Sequence, residues 1–320
     1  ATELGVDGST YSRVMRGEYR NENQQLLPPP AKMLSRIRVL RNQLRIATAE
    51  ETKGRVLTQT VREIHQVCRK AWSDLQIAFI FGASHIGKTE GLLWFRDENN
   101  HGATLYVDLQ GVTGLQDIYR EFARAMGISA DVPLQKLMPR VHAALDKSNL
   151  VIVDEFHHIT YAYQKGSSIR MVNALKSIKD RTGCGMVICA TDVGRDEIEN
   201  GKESKLLTQL WRRGVIKLHL PAAMRVADVR AIAKANGLDF PDAPRGARKD
   251  LWKHLREDHA DFAGLDVCER IAYNHGIKHL FAVIKDGKKV AEKEGRTLEW
   301  ADVVEAQAIY DSLSNPKKEV

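Results

Sequence analysis

The chain has 320 residues, with 48 Lys+Arg against 41 Asp+Glu for a net charge of +7, and 43% hydrophobic and 28% charged residues. At about 100–200 residues per domain this length predicts two or three domains, and the composition excludes a disordered chain or a fibre. No apolar run approaches the roughly 18 residues that cross a membrane, so no membrane partner is expected, while the modest basic excess suits an anionic one.

The chain carries no initiator Met and opens within a helical pattern, so its N-terminal module is expected to lack a preceding stretch. Ala1–Val6 reads as a helix end with a tight turn at Gly5. Ser9–Arg16 reads as the next helix, with Val14 inward and Ser9, Thr10, Arg13 and Arg16 outward. This spacing resembles the repressor-type helix-turn-helix family. Hydroxyl side chains at the start of a recognition helix reach base edges or phosphates, and Arg reaches both. The same spacing also suits a small helical hairpin for protein contact. Pro28-Pro29-Pro30 then ends any helix and stiffens a linker. A basic helical stretch, Met33–Ala47, and a polar segment, TAEETKG, follow.

From there strands and helices alternate. LQIAFIF (Leu75–Phe81), ATLYVDL (Ala103–Leu109), NLVIVD (Asn149–Asp154), GMVICAT (Gly185–Thr191) and VIKLHL (Val215–Leu220) read as strands, with helices near Gly114–Met126 and Leu134–Leu145. Continuous apolar strands are buried on both faces, as in a parallel sheet, and strand–helix alternation gives a doubly wound α/β fold. Beyond Pro221 only helical periodicity remains. The expected organisation is therefore residues 1–30 as a DNA-binding module and linker, 31–221 as an α/β nucleotide-binding domain with an N-terminal helical extension, and 222–320 as a helical lid. Cys68, Cys184, Cys189 and Cys268 form no C-x-x-C pair, which argues against a zinc ribbon and for buried reduced thiols in a cytoplasmic protein. His275 and His279, at i and i+4 with no Glu between them, read as helix-surface residues.

The sharpest signal is Gly82-Ala83-Ser84-His85-Ile86-Gly87-Lys88-Thr89, which fits G-x-x-x-x-G-K-[ST] between a strand and a helix that begins at Glu90. Glycines let the backbone curl so that its N–H groups point inward at phosphate oxygens, and the following helix adds its positive end. Lys88 would reach the β- and γ-phosphates of ATP, and the Thr89 hydroxyl would ligate Mg²⁺. A carboxylate should close the site from the end of another buried strand. Leu150–Glu155 supplies it, with Asp154 orienting Mg²⁺ and Glu155 polarising the attacking water as general base. Thr191, ending the GMVICAT strand, could sense the γ-phosphate or hold the water. Arg212 or Arg213, before the last strand, could serve a neighbouring subunit as an arginine finger. Lys278 could contact the phosphates from the lid. Thr113, in the loop after the second strand, and Lys136 and Arg140, on a later helix, are candidates for tracking a DNA backbone, which needs cations and small hydrogen-bond donors.

A P-loop, an Asp-Glu strand end, a Thr sensor, a late Arg pair and a helical lid look like an AAA+ ATPase. With the N-terminal module added, the whole chain resembles the phage Mu transposition protein B family, including the LTQTVREI segment (Leu57–Ile64), which in that family lies near the nucleotide base. The resemblance implies an ATPase that binds ATP and Mg²⁺, polymerises as a filament or ring on double-stranded DNA with weak sequence preference, and recruits and stimulates a DDE transposase in the cytoplasm of a bacterial host cell. Lys278 departs from the Arg more common at the lid position. The alternative is a helix-turn-helix transcriptional regulator with an ATPase domain, which would bind a palindromic operator with half-sites about one turn apart.

Overall fold

The structure is a computed structural model. It describes residues 6–15, 18–25, 27, 30, 33, 54–99, 103–160, 167–201, 210–222, 224–238, 268, 271–272 and 275–314. The first helix of the expected helix-turn-helix, Arg16, Pro28, Pro29 and nearly all of the basic stretch 33–47 lie outside the described residues. The chain divides into two compact units, Ala1–Arg55 and Val56–Val320.

In the first unit, α1 (Gly8–Met15) is set by its first turn. The Asp7 carboxylate accepts from Thr10 N at 2.8 Å, Ser9 Oγ at 2.6 Å and Thr10 Oγ1 at 2.7 Å, so it caps the helix, and these bonds hold its pKa well below the usual carboxylate range. Ser9 and Arg13 are exposed, and Thr10 and Val14 half-buried. The hydroxyls of Ser9 and Thr10, expected to face DNA, thus donate to Asp7.

The second unit is built on a five-stranded, all-parallel sheet in the order β2-β3-β4-β1-β5. Its strands are β1 (Ile77–Phe81), β2 (Thr104–Asp108), β3 (Leu150–Asp154), β4 (Gly185–Ala190) and β5 (Gly214–His219). The three central strands β3, β4 and β1 are buried at every residue, as their unbroken apolar runs predict. The edges differ: Val215, Lys217 and His219 of β5 are exposed, because an edge strand has one neighbour and its alternating V-I-K-L-H pattern has one face to cover.

Strand periodicity divides the core. Ile77, Phe79 and Phe81 point to one face, with Ile118, Phe122 and Leu175 of α4 (Leu115–Ala125) and α7 (Ser167–Thr182), which α5 (Leu134–Ala143) joins. Ala78 and Ile80 point to the other, with Ile64, Cys68, Leu92 and Phe95 of α2 (Gln59–Ser73) and α3 (Lys88–Glu98). Thr58 caps α2 by accepting from Val61 N. A Cβ on Gly185 would lie 2.7 Å from Ala71 O, so β4 approaches the end of α2 only because that residue is Gly. Two short helices, α6 (His157–Thr160) and α8 (Asp192–Asn200), follow β3 and β4.

Beyond the sheet, α9 (Val226–Ala235), α10 (Ile277–Lys293) and α11 (Trp300–Ser314) share a separate core that includes Val229, Ile232, Leu280, Val283, Ile284 and Val303. This is the helical lid the sequence implied. Asp228 ties it to the sheet-bearing body by accepting from Gln59 N, Thr60 N and Thr60 Oγ1 at the start of α2, and Arg225 pairs with Glu63 at 2.8 Å. His275 and His279 do not share one helix. Gly276, at φ +80°, separates His275 from α10, and His279 is half-buried with its ring bonded to Gln307 of α11 at 3.1 Å, so only His275 keeps the surface role read from the spacing. All four cysteines are free and buried, as expected, and burial pushes the thiols of Cys68, Cys184 and Cys189 up. No described helix is long and apolar enough to cross a membrane.

Candidate nucleotide site

The phosphate loop joins the C-terminal end of β1 to α3, at the edge of a parallel sheet where strand ends and helix starts open a crevice for ligands. His85 at φ +66° and Gly87 at φ +93° turn the backbone through the left-handed region, which aims successive N–H groups to one side. Ser84, His85, Thr89 and Glu90 are exposed, Ala83 and Gly87 are half-buried, and Gly82 and Ile86 are buried beneath the turn. A Cβ on Gly82 would lie 2.7 Å from Ile86 Cδ1 and 2.8 Å from Leu220 Cβ, so the loop closes on β5 only with glycine there. Lys88 begins α3 two residues earlier than the sequence placed the helix, and its ammonium spans the loop to the carbonyls of Gly82 at 2.8 Å and Ala83 at 2.6 Å.

β3 delivers Asp154 beside this turn. The carboxylate is 1% exposed and accepts from Thr89 Oγ1 at 2.9 Å, Tyr106 OH at 2.8 Å and Glu155 N at 2.8 Å. Thr89 and Asp154, 65 residues apart, thus meet as the two motifs imply. Their oxygens form the hard donor set that suits Mg²⁺, and Lys88, next to Thr89 in the chain, is a cation of the kind that suits phosphate. Glu155 leaves the strand at φ +56°, and burial, reinforced by the Asp154 charge, raises its pKa. His157 Nε2 lies 3.3 Å and His158 Nε2 4.0 Å from a Glu155 oxygen. Burial lowers the His157 pKa.

Thr191 directly follows β4, which pairs with β3, and its hydroxyl accepts from Gly194 N at 3.3 Å as the cap of α8. The lid reaches the loop directly: Ile277 N donates to the His85 carbonyl at 3.0 Å, and a Cβ on Gly276 would lie 2.4 Å from His85 Cβ. Lys278, exposed in the first turn of α10, therefore starts beside the phosphate loop.

The arginine pair is resolved into two environments. Arg213 Nη1 donates to both carboxylate oxygens of Asp180 at the end of α7, at 2.6 and 2.8 Å, which raises its pKa. Arg212 is exposed and has no partner among the described residues. Thr113 donates to Asp117 at 2.9 Å in the start of α4, while Lys136 and Arg140 lie exposed one turn apart on α5. Sequence reasoning missed Tyr106, which reads as one more apolar position of β2, and the histidine pair that follows the Asp-Glu strand end.

A parallel sheet in this order, a phosphate loop after its β1, an Asp-Glu end on β3 and a helical lid define the AAA+ P-loop ATPase fold. The AAA domain family matches residues 71–198. Two solved structures from Aeropyrum pernix share the fold: the ORC2 protein (ADPNP-ADP complexes), at TM-score 0.51 and 19% identity over 77% of this chain, and the ORC1 protein in complex with DNA, at TM-score 0.53 and 15% identity over 80%. The chain spans 66% of the length of each.

The particular resemblance read from the motifs is also borne out. The chain is similar to the ATP-dependent target DNA activator B of Escherichia phage Mu and to that of Escherichia phage D108. It is 26% identical to each over 238 residues, which cover 73% of this chain and 71% of each relative.

Proposed function

We propose that this protein is a Mg²⁺-dependent ATPase that binds double-stranded DNA and activates it as a target for transposition, as the names of its phage relatives suggest. The observation that carries the reading is the meeting of Thr89 with Asp154 at 2.9 Å beside Lys88 and Glu155. In this reading the loop N–H groups and Lys88 hold the phosphates, Thr89 and Asp154 hold Mg²⁺, and Glu155 accepts a proton from the attacking water. Mg²⁺ held by Thr89 and Asp154 would supply neutralisation of the charge on the transferred phosphoryl group. Tyr106, through its bond to Asp154 Oδ2, keeps that carboxylate pointed at Thr89. Thr191 faces the site from the neighbouring strand end, and Lys278 adds a cation from the lid. Arg212 supplies the finger to the next subunit, because Arg213 is already occupied by Asp180.

ATP held between subunits then makes assembly into a filament or ring on DNA depend on nucleotide. Arg13 of α1 and Thr113, Lys136 and Arg140 of the body contact the DNA backbone, so binding is weakly dependent on sequence and steeply dependent on salt. The assembly recruits and stimulates a DDE transposase. Negative-stain imaging with ATP and random duplex DNA, beside Lys88→Ala and ATP alone, tests the reading. ATP-dependent filaments on arbitrary DNA, absent from the variant, are expected. Small particles that bind only a palindromic operator would overturn it in favour of a transcriptional regulator.

A further inference from the structure

The segment after β3 gathers more chemistry than ATP hydrolysis uses. Glu155 turns out of the strand at φ +56°, Phe156 is buried and donates its N–H to Cys189 O at 3.0 Å, and His158 N donates to Glu155 O at 3.0 Å. The backbone is thereby pinned on both sides of the turn, and it presents a carboxylate and two imidazoles in one place. One ligand atom from each of Glu155, His157 and His158 lies within 4.8 Å of the other two. The two rings are 4.7 Å apart and inclined at 36°.

These spacings suit a borderline transition metal rather than Mg²⁺. Zinc bonds nitrogen and oxygen ligands at about 2.0–2.2 Å, and tetrahedral geometry then separates neighbouring donors by roughly 3.3–3.6 Å. The Glu155 oxygen lies 3.3 Å from His157 Nε2 and 4.0 Å from His158 Nε2, so small side-chain rotations bring the three to bonding distance. Imidazole prefers such metals, whereas Mg²⁺ prefers oxygen. The side chains of Glu155 and His158 are 32% and 35% exposed, which leaves an entry path and room for water as the fourth ligand. Asp154 is not needed: one oxygen, two imidazole nitrogens and a water complete a tetrahedral zinc site and leave Asp154 with Thr89.

We propose that Glu155, His157 and His158 form a Zn²⁺ site, and that zinc bound there takes the Glu155 carboxylate from the attacking water and halts hydrolysis with ATP still in place. The inhibitory half rests on the reading of Glu155 as the base, whereas the binding half does not.

The full chain, free of nucleotide, would be titrated with Zn²⁺ by calorimetry and with Co²⁺ by visible absorption. One saturable site per chain is expected, with the absorption of four-coordinate Co²⁺, displaced by Zn²⁺. His157→Gln and His158→Gln should each weaken it at least about tenfold. Should His157→Gln fail to fold, judged by circular dichroism, the more exposed His158→Gln carries the test alone. Absence of saturable binding, or equal affinity in the variants, overturns the site. In the second arm, Zn²⁺ added at saturating Mg²⁺ and ATP should suppress hydrolysis by the native chain and spare His158→Gln. Zinc that binds through these residues yet leaves hydrolysis unchanged overturns the inhibitory half. Hydrolysis that survives in Glu155→Gln overturns the catalytic reading of Glu155 and leaves the binding result standing.

Discussion

Replacing Asp228 by Ala should show how firmly the lid is tied to the nucleotide-binding body. The side chain is 1% exposed and accepts from Gln59 N at 2.6 Å, Thr60 N at 3.2 Å and Thr60 Oγ1 at 2.6 Å. Ala leaves the two Thr60 donors buried without an acceptor, while water can reach the amide of the exposed Gln59. Each stranded donor costs about 1–3 kcal/mol, and removing a negative charge from the start of a helix adds about 0.3–1 kcal/mol. The expected loss is about 3–5 kcal/mol, which is large for one substitution. Thr60→Val removes the hydroxyl alone and should cost about 1–2 kcal/mol. The double variant should cost less than the sum by about 1 kcal/mol or more, since the two groups share a bond. Urea unfolding followed by far-ultraviolet circular dichroism measures all three. A loss under about 1 kcal/mol for Asp228→Ala, or strict additivity, would refute the claim that this carboxylate holds α2 to the lid.

Three further outcomes follow from the site and the lid. Arg212→Ala should lower hydrolysis by about 10³-fold or more while leaving ATP binding intact, whereas Arg213→Ala should cost under about 1 kcal/mol of stability and little activity, because its pair with Asp180 is a surface one; nucleotide binding and phosphate release on both variants distinguish the two. Gly276→Ala should weaken nucleotide binding and lower the melting temperature, because φ +80° and ψ 177° is a region essentially confined to glycine, at a cost of about 1–3 kcal/mol, and the new Cβ would meet His85; equal affinity for a fluorescent ATP analogue would count against the lid–loop contact. Arg296 grips Asp302 by two hydrogen bonds and holds its carboxyl below the usual range. A depressed folded pKa means that this stabilisation is present above the unfolded carboxylate value near 3.9 and is lost as pH falls through the folded one. Urea midpoints should therefore decline below about pH 4, and less steeply in Asp302→Asn.

Much of this was legible before any coordinates. The unbroken apolar runs of β1, β3 and β4 announced a buried parallel sheet, because a central strand must satisfy two apolar faces at once. G-x-x-x-x-G-K-[ST] announced the loop, because few residue patterns let backbone amides converge on phosphate. The Asp-Glu strand end announced its partner, since a strand terminus in such a sheet is where a carboxylate can meet that loop. Edge exposure in β5 and the break at Gly276 were less visible, since both depend on which neighbours are present.

The sequence by itself thus determined the pattern of strands and helices, the fold class and the motif residues that meet at the phosphate loop, all of which are local patterns. Only the tertiary structure decided pairings between residues far apart in the chain. It brought Tyr106 onto Asp154, gave Arg213 to Asp180 and left Arg212 exposed, joined Asp228 to the start of α2, and set Gly276 against His85. Such contacts carry no periodic signature, because they arise from the order in which strands stack and the direction in which each side chain leaves its element.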